Sequence, residues 1–175
     1  MLLKIDSMQL SHEQNNFKKQ QFPIILLCDN VTNAPNIGSL FRIADAFGVE
    51  ELIFCGEHIP IGRRMTKTSR STENYMKYRV ESDALSVVEE FKNLNYLIVS
   101  LEISEQSLPL HQFNFKLDKP IILIVGHENF GISELMLKAS NAVLHINMYG
   151  HNSSMNVVQA TGIALYEITN QLSRK

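Results

Sequence analysis

The 175-residue sequence has no tryptophan, two cysteines and five prolines. Two cysteines are too few for the disulfide lattice of a small secreted domain. Cys28 and Cys55 each sit in or at the end of an apolar run, which reads as a reduced pair in a cytoplasmic protein. Positive charge is not in excess: 16 Lys+Arg stand against 18 Asp+Glu, a net charge of −2. Any nucleic-acid contact must therefore come from a local patch. No apolar run approaches the roughly 20 residues that span a bilayer, so no membrane partner is expected. The polar stretch MLLKIDSMQLSHEQNNFKKQQ lacks the core of a signal peptide. Only 19% of residues are charged and 45% are hydrophobic, which excludes a disordered chain and is enough to bury one domain's core.

Residues 1–21 are polar and without period, and read as an N-terminal arm; 22–175 read as a single domain. FPIILLCD (22–29) is a short continuous apolar run, the pattern of a strand covered on both faces. Ile37, Leu40, Phe41, Ala44 and Phe47 recur at helical spacing and predict a helix over 37–47, ended by Gly48. Strands are predicted at 51–56, 96–101, 120–126 and 142–148. Helices are predicted after the Ser82-Asp83 cap, burying Leu85, Val88 and Phe91, and at 132–140 and 154–172. Residues 57–79 show no apolar period and read as a long loop. The alternation predicts an α/β fold, a mostly parallel sheet with helices on both faces.

Ligands of such sheets bind beyond the carboxyl ends of the strands. Three polar loops fall there: NVTNAPNIGSLFR (30–42), GHENFGIS (126–133) and NMYGHNSSMN (147–156). GHENFGIS has glycines five apart after a strand, but Ile132 stands where a P-loop needs lysine. Neither G-x-G-x-x-G, G-x-S-x-G nor H-E-x-x-H occurs. The six histidines show no metal-ligand spacing with one another or with the cysteines, so no metal is expected.

Taken together, NxGSLFRxADxFG, GHENFGIS and INMYG…SSMNVVQATGIALYE resemble the three ordered motifs of SpoU-type (TrmH-like) RNA ribose 2′-O-methyltransferases of the SPOUT superfamily. The resemblance implies a C-terminal deep trefoil knot, a homodimer, S-adenosylmethionine as methyl donor and S-adenosylhomocysteine as product. It assigns Asn36, Arg42, Glu128, Ser154 and Asn156 to catalysis, and Leu101, Gly126, Ile146, Met148, Ser154 and Met155 to the donor. The sequence departs from the family at His127, Asn147 and Val158, positions that shape the knot loops. RNA is the implied substrate, tRNA favoured; the alternatives are rRNA or a non-catalytic SPOUT-fold RNA-binding module.

Residue by residue, plainer readings exist. Asn36, Ser154 and Asn156 each fit a helix N-cap, Glu128 could complement a helix start, and Arg42 could be a solvated helical cation. Arg63, Arg64, Lys67 and Arg70 fall within eight positions, and read either as a solvated loop or as an RNA phosphate patch beside the stacking candidates Tyr75 and Tyr78.

Overall fold

A computed structural model describes residues 17–116 and 118–174. The arm reading of residues 1–16 lies outside the described residues. Strands β1 (Phe22–Asp29), β2 (Val49–Cys55), β3 (Tyr78–Glu81), β4 (Leu97–Leu101), β5 (Leu108–Pro109), β6 (Ile121–Val125) and β7 (Ala142–His145) form one sheet in the order β3-β2-β1-β6-β4-β7-β5. Every pairing is parallel. The helices are α1 (Ala34–Ala46), α2 (Arg63–Ser69), α3 (Ala84–Asn93), α4 (Glu134–Ala139) and α5 (Val157–Ser173).

The apolar runs are explained by burial on both faces. Ile24, Leu26 and Cys28 point into a core shared with Ile37, Leu40, Phe41 and Ala44 of α1 and Ala164, Leu165 and Ile168 of α5. Ile25 and Leu27 point into the opposite core, with Val88 and Phe91 of α3 and Met136 of α4. The two cysteines divide between these cores, so no disulfide can join them, and both are free. Burial raises both thiols well above their ordinary range, Cys55 to about 12.

The sheet extends β1 and β2 much as the sequence predicts, but residues 57–79 are not one loop. They hold α2, a 3-10 turn at Thr72–Asn74 and the edge strand β3. The helical pattern was invisible because α2 buries only one large apolar side chain, Met65. It is held instead by close backbone approach. A Cβ at Gly38 would collide with the Met65 carbonyl, and Thr68 Oγ1 donates to the Pro35 carbonyl at 3.0 Å. Helix α3 starts at the Asp83 cap as predicted, with the Leu85 amide 2.9 Å from its carboxylate. Leu85 itself faces solvent in that first turn; Val87, Val88 and Phe91 form the buried stripe. Strand β7 ends at His145 rather than at 148, and α5 begins at Val157 rather than at 154, leaving a longer loop between them.

The order of the last strands has a geometric corollary. Strand β7 is hydrogen-bonded to β4 on one side and β5 on the other. Residues 102–107, which join β4 to β5, must therefore span the slot that β7 fills.

Candidate active site

The carboxyl ends of β4, β6 and β7 surround a cavity of about 540 Å³. All six residues assigned to the donor by resemblance line it: Leu101, Gly126, Ile146, Met148, Ser154 and Met155. The volume falls within the range of small-molecule sites, roughly 300–1,000 Å³. Its lining mixes apolar side chains with backbone, a surface suited to an adenine-bearing donor.

One wall is the 126–132 segment, and its glycine spacing has a physical explanation unrelated to phosphate. His127 and Gly131 pair antiparallel, with the Gly131 amide 2.9 Å from the His127 carbonyl and the His127 amide 3.2 Å from the Gly131 carbonyl. A Cβ at Gly126 would strike the Gly131 backbone, and Gly131 itself has a φ of +65°. Two glycines are what let the loop fold back on itself. His127 Nδ1 accepts the Asn129 amide at 2.9 Å, tightening the tip.

The sequence reading missed Glu102, which lines the same cavity. Its Oε1 accepts the Ile103 amide and its Oε2 the Ile132 amide, both at 2.9 Å, tying the end of β4 to the 126–132 loop. A carboxylate directly after a strand was the available signal. Asp29 does similar work at the end of β1. It accepts from Asn30 Nδ2 at 2.8 Å, and the nearby Ser133 backbone amide also favours its charged form. Burial dominates those bonds and raises its carboxyl above the ordinary aspartate value.

Three of the five catalytic candidates, one from each motif, are joined in a hydrogen-bonded line. Asn36 Nδ2 donates to Glu128 Oε1 at 2.8 Å, and Asn156 Nδ2 donates to Asn36 Oδ1 at 3.2 Å. The capping reading fails for Asn36, because Asn33 caps α1 and accepts the Asn36 amide at 3.1 Å. That leaves the Asn36 carboxamide available to face Glu128. For Asn156 the capping reading holds as well: its Oδ1 accepts the Val158 amide at 2.9 Å while its Nδ2 reaches Asn36. Ser154 caps nothing and stays on the cavity wall.

Arg42 stands apart from this line. It is exposed on α1, six residues beyond Asn36, and among the described residues its side chain makes no hydrogen bond or ion pair. Six residues advance a helix by about 9 Å and turn it well off the Asn36 direction, so neither Asn36 nor Glu128 orients Arg42 within one chain. Arg63, Arg64 and Lys67 are exposed on α2, with exposed Arg70 directly after it. The cations that do form ion pairs are Lys77, Arg79, Lys92 and Lys138; the four between 63 and 70 are not neutralised by any described acid. Among the described residues, no three of His, Cys, Asp and Glu gather as a metal site, and no helix is long and apolar enough to cross a membrane.

The fold is shared with crystal structures of TrmH/SpoU methyltransferases, which defines the class. The A. aeolicus TrmH/SpoU tRNA modifying enzyme superposes with a TM-score of 0.79 at 29% identity, covering 87% of this chain and 77% of that one. An AdoMet-bound rRNA methyltransferase from Sinorhizobium meliloti shares the fold with a TM-score of 0.76 at 23% identity, covering 87% of this chain and 58% of that one. Residues 23–166 match the SpoU rRNA methylase family, and the chain belongs to it. In sequence it is 31% identical to the tRNA (guanosine(18)-2′-O)-methyltransferase of Aquifex aeolicus, over 90% of this chain and 74% of that protein. It is 29% identical to the 23S rRNA (guanosine-2′-O-)-methyltransferase RlmB of Blochmanniella floridana, of which it spans 60%.

Proposed function

We propose that this protein is an S-adenosylmethionine-dependent RNA methyltransferase acting on a ribose 2′-hydroxyl, most readily of tRNA. The carrying observation is the Glu128–Asn36–Asn156 line, which joins the three motifs beside a cavity lined by the second and third of their loops and the end of β4. Leu101, Gly126, Ile146, Met148, Ser154 and Met155 would hold the donor, which supplies an electrophilic sulfonium methyl group. The chain's own task is then mostly positioning, since displacement at such a methyl needs an in-line oxygen at close approach.

Glu128 can accept a hydrogen bond from a ribose hydroxyl, and Asn36, itself bonded by Asn156, holds that carboxylate in place. Arg42 cannot serve as a base, because a guanidinium is effectively always protonated. Its free fork suits a phosphate or the developing charge on the ribose oxygen. Arg63, Arg64, Lys67 and Arg70 extend the phosphate-binding surface on α2, whose packing against Pro35 and Gly38 places it beside the first motif. The outer face of α5 exposes Ile163 and Tyr166, with Met155 of the preceding loop beside them, a surface that supports pairing of two copies. The β4–β7–β5 order supports a C-terminal knot. Two buried thiols suit a reducing cytoplasm.

The test is transfer of labelled methyl from S-adenosylmethionine to unmodified tRNA and rRNA, followed by mapping of the modified nucleotide. Ribose methylation of tRNA is expected. Label confined to rRNA would overturn the choice of tRNA, and label on a base would overturn the choice of ribose.

A further inference from the structure

Phe130 is 85% exposed, yet it lines the cavity. An exposed phenyl ring on a floppy loop would need no explanation. This loop is not floppy. It is closed by the His127–Gly131 pair, stiffened at the tip by the Asn129–His127 bond, and clasped from behind by Glu102. The His127 ring backs Phe130 at 4.8 Å between centroids and 41° between planes. The loop therefore presents a bare aromatic ring at the cavity, with the His127 ring behind it.

Phe130 is two residues from Glu128, a span of at most about 7 Å of chain. A ribose bonded to Glu128 has its base one glycosidic bond away, so the base falls within reach of Phe130. The half-buried apolar side chains of Leu101, Ile146 and Met148 in the cavity wall suit the adenine of the donor; a ring as exposed as Phe130 shields little of a buried ligand. From this we infer that Phe130, backed by His127, is the platform on which the target nucleobase stacks once it is splayed out of the RNA. Bases leave their own stack for recognition or chemistry in RNA loops, and aromatic side chains replace the lost stacking. Stacking is sequence-tolerant, so Phe130 sets how firmly the nucleotide is held rather than which base is chosen. The inference rests on the methyltransferase reading above.

The chain has no tryptophan, so Phe130→Trp installs a single reporter. Its emission should be that of a solvent-exposed indole in the free protein, unchanged by S-adenosylhomocysteine alone, and quenched when unmodified tRNA is added to that binary complex. Phe130→Ala should raise KM for tRNA about tenfold or more, the scale of one lost base stack, with kcat within about threefold. Calorimetric affinity for S-adenosylhomocysteine should not change, and Phe130→Tyr should restore KM. Quenching by S-adenosylhomocysteine alone would assign the ring to the donor. A blue-shifted, concentration-dependent emission in free protein would assign it to a second copy. Unaltered KM in Phe130→Ala, with the wild type active, would refute stacking alone; a wild type that binds no S-adenosylhomocysteine would instead remove the methyltransferase reading.

Discussion

Replacing Asn36 by aspartate is the sharpest probe of the line that joins the three motifs. The change keeps the side chain's size but turns the donor facing Glu128 Oε1 at 2.8 Å into a second carboxylate oxygen. The lost bond is one to a charged acceptor, worth about 1.5 kcal/mol at the low end of the range for such bonds. Two unit charges about 3 Å apart repel by roughly 1.5 kcal/mol at the dielectric of water, and that limit applies because Glu128 is exposed. The sum, about 3 kcal/mol, corresponds to about a hundredfold in kcat/KM if the line acts on the transition state. Being exposed, the carboxylates can swing apart, so the loss should appear as misplacement rather than unfolding. Tm should fall by only a few degrees. The double variant Asn36→Asp, Glu128→Gln restores a donor facing an acceptor with the roles reversed, and should recover at least tenfold over the single change. The assay is single-turnover transfer of labelled methyl to unmodified tRNA, with thermal melts of each variant. Near wild-type turnover in Asn36→Asp would refute the reasoning, and no recovery in the double variant would show that the Glu128 charge itself is needed.

Three further outcomes are expected. Arg42→Ala should keep fold and S-adenosylhomocysteine affinity while turnover falls by about two to three orders of magnitude, and Arg42→Lys should rescue poorly because an ammonium cannot reproduce a bidentate fork; near-normal rates in both would make Arg42 a bystander. Neutralising Arg63, Arg64 and Lys67 together should reduce the slope of log affinity for RNA against log salt by roughly 2, read by filter binding, whereas an unchanged slope would remove α2 from the interface. Because burial raises the Asp29 carboxyl, the folded state binds its proton more tightly than the unfolded chain does. This group's contribution to stability is therefore greatest below its ordinary value of 3.8 and declines as pH rises through its raised folded value. Urea midpoints of Asp29→Asn minus those of the wild type should accordingly increase across that window, and a flat difference would contradict the sign.

How much could be read from the residues alone depends on which force holds each element. Strands β1, β2, β4 and β6 are held by apolar burial on both faces, which leaves a dense mark in sequence. Helix α2 is held by a glycine contact and a threonine hydroxyl, which leave none. The same divide runs through the site. The cavity residues were legible as motifs, yet nothing local in Asn36 shows that Asn33 relieves it of capping or that its partner is 92 residues away. Glu102 carries no motif at all; its value lies in two backbone amides that only the fold brings to it. Arg42 sits exposed on α1, off the apolar face that the pattern defines, with no side chain bonded to it that would mark its role.

The position of β7 between β4 and β5 also fixes an order of events in time. Strands β3, β2, β1, β6 and β4 can pair without it, but β5 cannot join the sheet until β7 has entered the gap. In the finished sheet β4 and β5 stand two strand spacings apart, roughly 9.6 Å, and β7 fills that gap. Residues 145–157, which supply one side of the cavity, are delivered by that same late strand. The first five strands can therefore pair without the cavity, and gain of ligand affinity should follow the entry of β7 rather than the formation of those earlier pairs.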